Sequence, residues 1–242
     1  MAFWGVLIVA LLSLIFLVWA ERRAQTPILQ GSFMKRPSFI LSVLALFLTQ
    51  GLMQANMTNL IVFINYTQPE NAILSGYAIS VMYLGMSLGS ILLGPLADRI
   101  EPKRILCLSF SITGLGTALM LLFSPATSIG LLAASLGILG FGLGANATIF
   151  MRVVLWGISA AKSGAATGTY GLFRDLSAPF GVAVFVPLFT NQVTAGIADG
   201  LEEAASAVGA IRLLSLTELA CVALGIVAIL FLPRIHRPDT AG

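Results

Sequence analysis

Glu218 stands between Thr217 and Leu219, near the middle of an apolar run at 210–232. A charge at the centre of a bilayer costs a few kcal/mol or more unless it is paired, faces a cavity or is neutralised. A carboxyl placed there can bind and release a proton as its access to water changes, which suits proton coupling or cation binding. A protonated side chain hydrogen-bonded to a neighbouring helix fits the residue as well. A second feature is the stretch GPLADRIEPKRIL from Gly94 to Leu106. It packs Asp98, Arg99, Glu101, Lys103 and Arg104 into seven positions between two long apolar runs. Arg174 and Asp175 form a third, inside the run at 166–190. Neighbours on a helix point about 100° apart, so these two need not pair, and Arg174 is long enough to snorkel to the interface.

Gln50, Gln54, Met57 and Thr58 recur at spacings of four, three and one, which puts them on one helical face. A polar stripe in mid-membrane faces either a cavity or another helix, where amides bridge for about 1 kcal/mol. Met53 and Met57 would make such a wall adaptable. Asn59 and Asn146 are further polar candidates within the runs. Enzyme chemistry has no comparable footing. His236 is the sole histidine, and there is no metal-binding His pair, nucleophile elbow or phosphate loop. Cys107 and Cys221 lie in separate apolar runs, as small packing residues do, so neither metal nor cofactor is expected.

The elements that position these residues follow from composition. Only 10% of the chain is charged and 58% is hydrophobic, whereas a soluble domain carries about 25% charged residues. Seven runs are long enough to span a bilayer, at 2–20, 39–64, 72–97, 105–123, 129–155, 166–190 and 210–232. They are continuous rather than alternating, which predicts helices and not barrel strands. The fold expected is an all-α, polytopic transmembrane helix bundle of about seven spanning helices. Gly137, Gly140, Gly142 and Gly144 predict close helix approach within the fifth run. The segment Asn191–Gly209 reads as an outer loop, with a short amphipathic surface helix at Ile197–Val208.

Charge sets the orientation. With the N-terminus outside, the inner flanks hold eleven of the thirteen Lys and Arg residues, as the positive-inside rule requires. The C-terminus then lies in the cytoplasm and the charged stretch at 98–104 is a cytoplasmic turn. The net charge of +3 is scattered over several loops, which is no nucleic-acid footprint.

The residues Gly94-Pro95-Leu96-Ala97-Asp98-Arg99, followed by Lys103-Arg104-Ile105-Leu106, resemble the signature turn of the major facilitator superfamily. Glu101 and Pro102 depart from its pattern. Glu21-Arg22-Arg23, Pro27-Ile28-Leu29, Phe33 and Arg36 are similar to the linker of its 14-helix drug:proton antiporter branch. So are Gly164 to Gly168, Arg174-Asp175-Leu176 and Phe180 to Ala183 to that branch's penultimate helix. In that family the turn follows the second helix of each six-helix half. Here it follows the third run. The resemblance therefore implies an extra linker-type helix at 1–23, a cytoplasmic linker at 24–38, one C-terminal six-helix half at 39–232 and a cytoplasmic tail at 233–242.

The resemblance implies a gating turn at Gly94, Asp98, Arg99, Lys103 and Arg104. It places the first helix of the half, with Gln50, Gln54, Met57 and Thr58, along a central cavity. The expected function is secondary active transport in the cell (inner) membrane: proton-coupled efflux of small amphipathic organic compounds, with an N-terminal half or a second copy as partner. The alternative is a truncated, non-transporting membrane protein with a structural or interaction role.

Overall fold

A computed structural model of the chain describes residues 37–97, 99–155 and 158–231. The run at 2–20, the linker to residue 36, Asp98 and the tail 233–242 lie outside the described residues. Six helices follow in order: α1 Pro37–Thr67, α2 Ala72–Leu96, α3 Pro102–Met120, α4 Ile129–Leu155, α5 Ala160–Ala198 and α6 Glu203–Leu230. Neither α1 nor α2 contains a single Asp, Glu, Lys or Arg. With no water to satisfy free N–H and C=O groups, runs of this kind close their hydrogen bonds internally. Five of the six are long and apolar enough to cross a membrane, and α3, at 19 residues, is the exception. It carries Lys103 and Arg104 in its first turn and buries one face, from Ile105 and Leu106 through Phe110 to Met120.

The helices pack in two layers of contact. α2 lies along α4, and α4 lies along α3, while α1 is flanked by α5 and α6; α3 meets α6 and joins the two groups. α1 and α2 touch only slightly. Small residues set these distances. A Cβ on Gly144 of α4 would stand 1.9 Å from the Met86 carbonyl oxygen of α2, and one on Gly140 would stand 2.2 Å from that of Met82. Gly142 is equally tight against Thr113 and Ser109 of α3, whereas Gly137 makes only ordinary contact with Val81. The close approach read from the fifth run therefore serves both neighbours of α4. Between α1 and α5, a Cβ on Gly181 would stand 2.1 Å from the Gly51 carbonyl oxygen.

Two apolar clusters fill the bundle. One includes Leu46, Leu106, Phe110, Phe150 and Tyr170; the other includes Leu60, Phe63, Met82, Phe123 and Phe189. Phe63 stacks on Phe123 at 5.5 Å, and Phe110 meets Phe150 edge-on at 6.0 Å.

The surface helix and outer loop expected between Asn191 and Gly209 are absent, and this corrects the sequence reading. α5 continues to Ala198 and α6 begins at Glu203. The chain turns through Gly200, at φ +86°, where Leu201 N–H donates to Gly196 O at 3.0 Å. A left-handed glycine ends a helix in this way. The segment stays helical because it packs: Val193 of α5 and Ser206, Ala207 and Ile211 of α6 are all buried.

Candidate functional site

The α2–α3 turn is built by backbone bonds. Arg99 and Ile100 N–H both donate to Leu96 O, at 3.0 and 2.9 Å, and Arg104 N–H donates to Glu101 O at 2.9 Å. Pro102 occupies the first turn of α3, where a missing N–H has no intrahelical partner to lose. The departure from the family pattern at 102 is thus compatible with a helix start. Arg104 Nε lies 3.5 Å from Glu101 Oε2, with the Arg104 side chain 78% exposed. Lys103 Nζ donates to Leu230 O at 2.5 Å. It meets one of the last carbonyls of α6, where unsatisfied acceptors and the negative end of the macrodipole favour a cation. Glu101, Lys103, Arg104, Cys107 and Leu230 line a cleft of about 410 Å³ between this turn and the end of α6. Gly94 sits beneath, 3.4 Å by its Cβ direction from Thr148 of α4, and Ser90 bonds Thr148 at 2.9 Å. Asp98 lies outside the described residues.

Glu218 is 1% exposed. It projects from the buried face of α6, one turn from Ser215 and Val222. The Asn56 amide of α1 lies against its carboxyl, yet Asn56 Nδ2 donates to Leu52 O at 3.1 Å. Both Glu218 oxygens and Asn56 Oδ1 remain without a hydrogen-bond partner among the described residues. Buried acceptor atoms are costly to leave unfilled. A proton on the carboxyl, or a cation between the groups, would supply what they lack.

Asn56 belongs to a stripe that the sequence reading missed. Ser42, Thr49 and Asn56 recur every seven residues, and all three are at most 2% exposed. Thr49 satisfies itself on Ala45 O and Leu46 O, whereas Ser42 Oγ has no partner among the described residues. Asn59, three residues on, donates to Phe185 O of α5 at 3.3 Å. The heptad spacing was the available signal, since it marks a face that keeps meeting one neighbour.

The stripe read from the sequence lies on another side of α1. Gln50, Gln54 and Thr58 are half-buried, and Met57 is buried. Thr58 Oγ1 donates to Gln54 O at 3.1 Å, and Met57 Sδ accepts from Tyr83 of α2 at 3.8 Å. Asn146 is elsewhere: its Oδ1 accepts from Ser109 Oγ, which commits the amide to the α3–α4 contact. Arg174 and Asp175 are both exposed on α5, and their side chains pair at 3.0 Å. The sequence reading allowed them to point apart. The reach of the arginine overcomes the 100° between them.

A family profile described as Major Facilitator Superfamily matches residues 1–182. An uncharacterized MFS-type transporter of Mycobacterium tuberculosis strain H37Rv is 27% identical over 208 residues, 86% of this chain and 30% of that protein. The uncharacterized MFS-type transporter YvkA of Bacillus subtilis is 28% identical over 174 residues, 71% of this chain and 39% of YvkA. Multidrug resistance protein 3 of Bacillus subtilis is 23% identical over 195 residues, 81% of this chain and 38% of that protein. The chain thus spans about a third of the length of these relatives.

Proposed function

The chain belongs to the Major Facilitator Superfamily, and from that premise we propose that it is a C-terminal half of a secondary active transporter that exports small amphipathic organic compounds against an inward flow of protons. It works with a second half, supplied by another chain or by self-association, and the substrate passes between the halves near the bilayer midplane. It lies in the cell membrane with its N-terminus outside, so that the α2–α3 turn is cytoplasmic.

The observation that carries this reading is the buried Glu218 carboxyl beside Asn56, whose oxygens find no close hydrogen-bond partner among the described residues. Intramembrane carboxyls are expensive and mark ion or proton pathways by default. In the proposed cycle Glu218 takes a proton when the α1–α6 contact opens outward and releases it inward. Gln50, Gln54, Met57 and Thr58 touch substrate. Asp98, Arg99, Lys103 and Arg104 latch the cytoplasmic ends, and the Lys103 bond to Leu230 O ties that latch to the helix bearing Glu218. Efflux is further supported by the likeness to a protein named for multidrug resistance.

The test is proteoliposome transport under an imposed pH gradient, with the chain alone and with the N-terminal half of a relative. Gradient-dependent movement of an amphipathic compound, lost in Glu218→Gln, is expected. No gradient-dependent movement in either arrangement would sink the proposal.

A further inference from the structure

The cleft between the α2–α3 turn and the end of α6 joins an ionic wall to an apolar one. Glu101, Lys103 and Arg104 form the first, and Leu230 and Cys107 complete it. Its volume of about 410 Å³ lies within the range of small-molecule sites, about 300–1,000 Å³. Two cations stand against one carboxylate there, a net charge of one positive. Arg104 is held only loosely by Glu101, since 3.5 Å is long for a charge-assisted bond. Its guanidinium carries five N–H donors in a fork that suits a phosphate. The first turn of α3, with its positive dipole end, lies beside it. Glu101 Oε1 is buried and has no hydrogen-bond partner among the described residues. An occupant that suits these groups brings anionic oxygens to the cations and a hydrogen-bond donor to Glu101.

Placement narrows its source. The cleft lies where α3 begins and α6 ends, the level at which membrane-spanning helices meet lipid headgroups. Arg104 and Leu108 are four residues apart, on one face of α3, and Leu115 continues that face. Leu108 and Leu115 are exposed, as are Leu224, Val227 and Leu230 on α6. The lipid-facing sides of two touching helices therefore run into the cationic cleft. A soluble anion uses the cations and leaves the apolar side idle, whereas a phospholipid uses both. We propose that the cleft seats one anionic phospholipid with a hydroxyl-bearing headgroup, of the phosphatidylglycerol kind. Its phosphate meets Arg104 and Lys103, a glycerol hydroxyl donates to Glu101 Oε1, and an acyl chain lies along Leu108. The lipid thus fastens the start of α3 to the end of α6, the two ends that the Lys103 bond to Leu230 O already joins. The inference stands on the cleft itself and holds whether or not the chain transports.

Native mass spectrometry of the full chain in detergent micelles tests it, with dioleoyl lipids added in turn. One phosphatidylglycerol is expected to bind about tenfold or more tightly than phosphatidylcholine or phosphatidylethanolamine. Arg104→Gln is expected to weaken that lipid about fivefold. Arg174→Gln takes the same charge from α5 and is expected to leave its affinity unchanged. Phosphatidylmethanol has the charge of phosphatidylglycerol without the hydroxyls. It is expected to bind about threefold more weakly, a gap that closes in Glu101→Leu. Equal binding of phosphatidylglycerol and phosphatidylcholine overturns the site. An equal loss in both arginine variants ascribes the preference to net charge and overturns it as well. Phosphatidylmethanol binding as tightly as phosphatidylglycerol overturns the Glu101 contact. Displacement of the lipid by millimolar inorganic phosphate overturns the lipid as occupant and assigns the cleft to a soluble anion.

Discussion

The Asn56 amide of α1 lies against the Glu218 carboxyl of α6 and gives one of its two N–H groups to Leu52 O, 3.1 Å away, while Asn56 Oδ1 and both carboxyl oxygens find no close hydrogen-bond partner among the described residues. Glu218→Gln keeps the size of the side chain, removes its titrating proton site and adds an N–H donor. It is expected to keep or raise the melting temperature in detergent while abolishing proton-driven transport in liposomes. Glu218→Lys buries a permanent cation in the same place and is expected to cost about 3 kcal/mol or more, read as loss of the folded species on size-exclusion chromatography.

The α3–α4 contact contains a second buried amide. Ser109→Ala removes the hydroxyl that Asn146 Oδ1 accepts from, and Asn146 Nδ2 already has no partner among the described residues. Stability is expected to fall by about 1–3 kcal/mol. The double variant Ser109→Ala with Asn146→Leu removes both polar groups and is expected to recover most of that loss. Chemical denaturation of the two variants in micelles checks the pair, and additive losses would argue against the contact.

Close backbone approach makes Gly144 intolerant of any side chain. Its Cβ would meet the Met86 carbonyl oxygen at 1.9 Å, so Gly144→Ala forces α2 and α4 apart and is expected to cost about 1–3 kcal/mol. Gly209→Ala has open space around it on α6 and is expected to stabilise by about 0.5–1 kcal/mol through helix propensity. Thermal melts of the two variants should therefore move in opposite directions.

Two cations of the α2–α3 turn, Lys103 and Arg104, should differ in worth. Lys103→Met removes the cation that caps α6 at Leu230 O, for an expected loss of about 0.3–1 kcal/mol. Arg104→Ala breaks a 3.5 Å pair whose arginine is 78% exposed, and surface pairs of this kind contribute little. Faster amide hydrogen exchange in the last turn of α6 is expected for the lysine variant only.

Glu218 was legible as the costly residue because a lone carboxyl in an apolar run needs no partner to be conspicuous. Its surroundings were not legible. The stripe at Gln50, Gln54 and Thr58 was found by its polarity, while Ser42, Thr49 and Asn56, which face the bundle interior, were passed over as ordinary span residues.

The sequence by itself determined that this is an all-helical membrane bundle, where its charged turn lies and which family it joins. Those properties follow from composition and local spacing, since a chain in lipid must satisfy its backbone within each segment. Only the tertiary structure decided which face of each helix is inside. It also decided that α5 and α6 run on to a glycine turn, and that Arg174 closes on Asp175. Lipid and protein interior are both apolar, so the hydrophobic periodicity that separates inside from outside in a water-soluble helix is missing here, and packing alone assigns the faces.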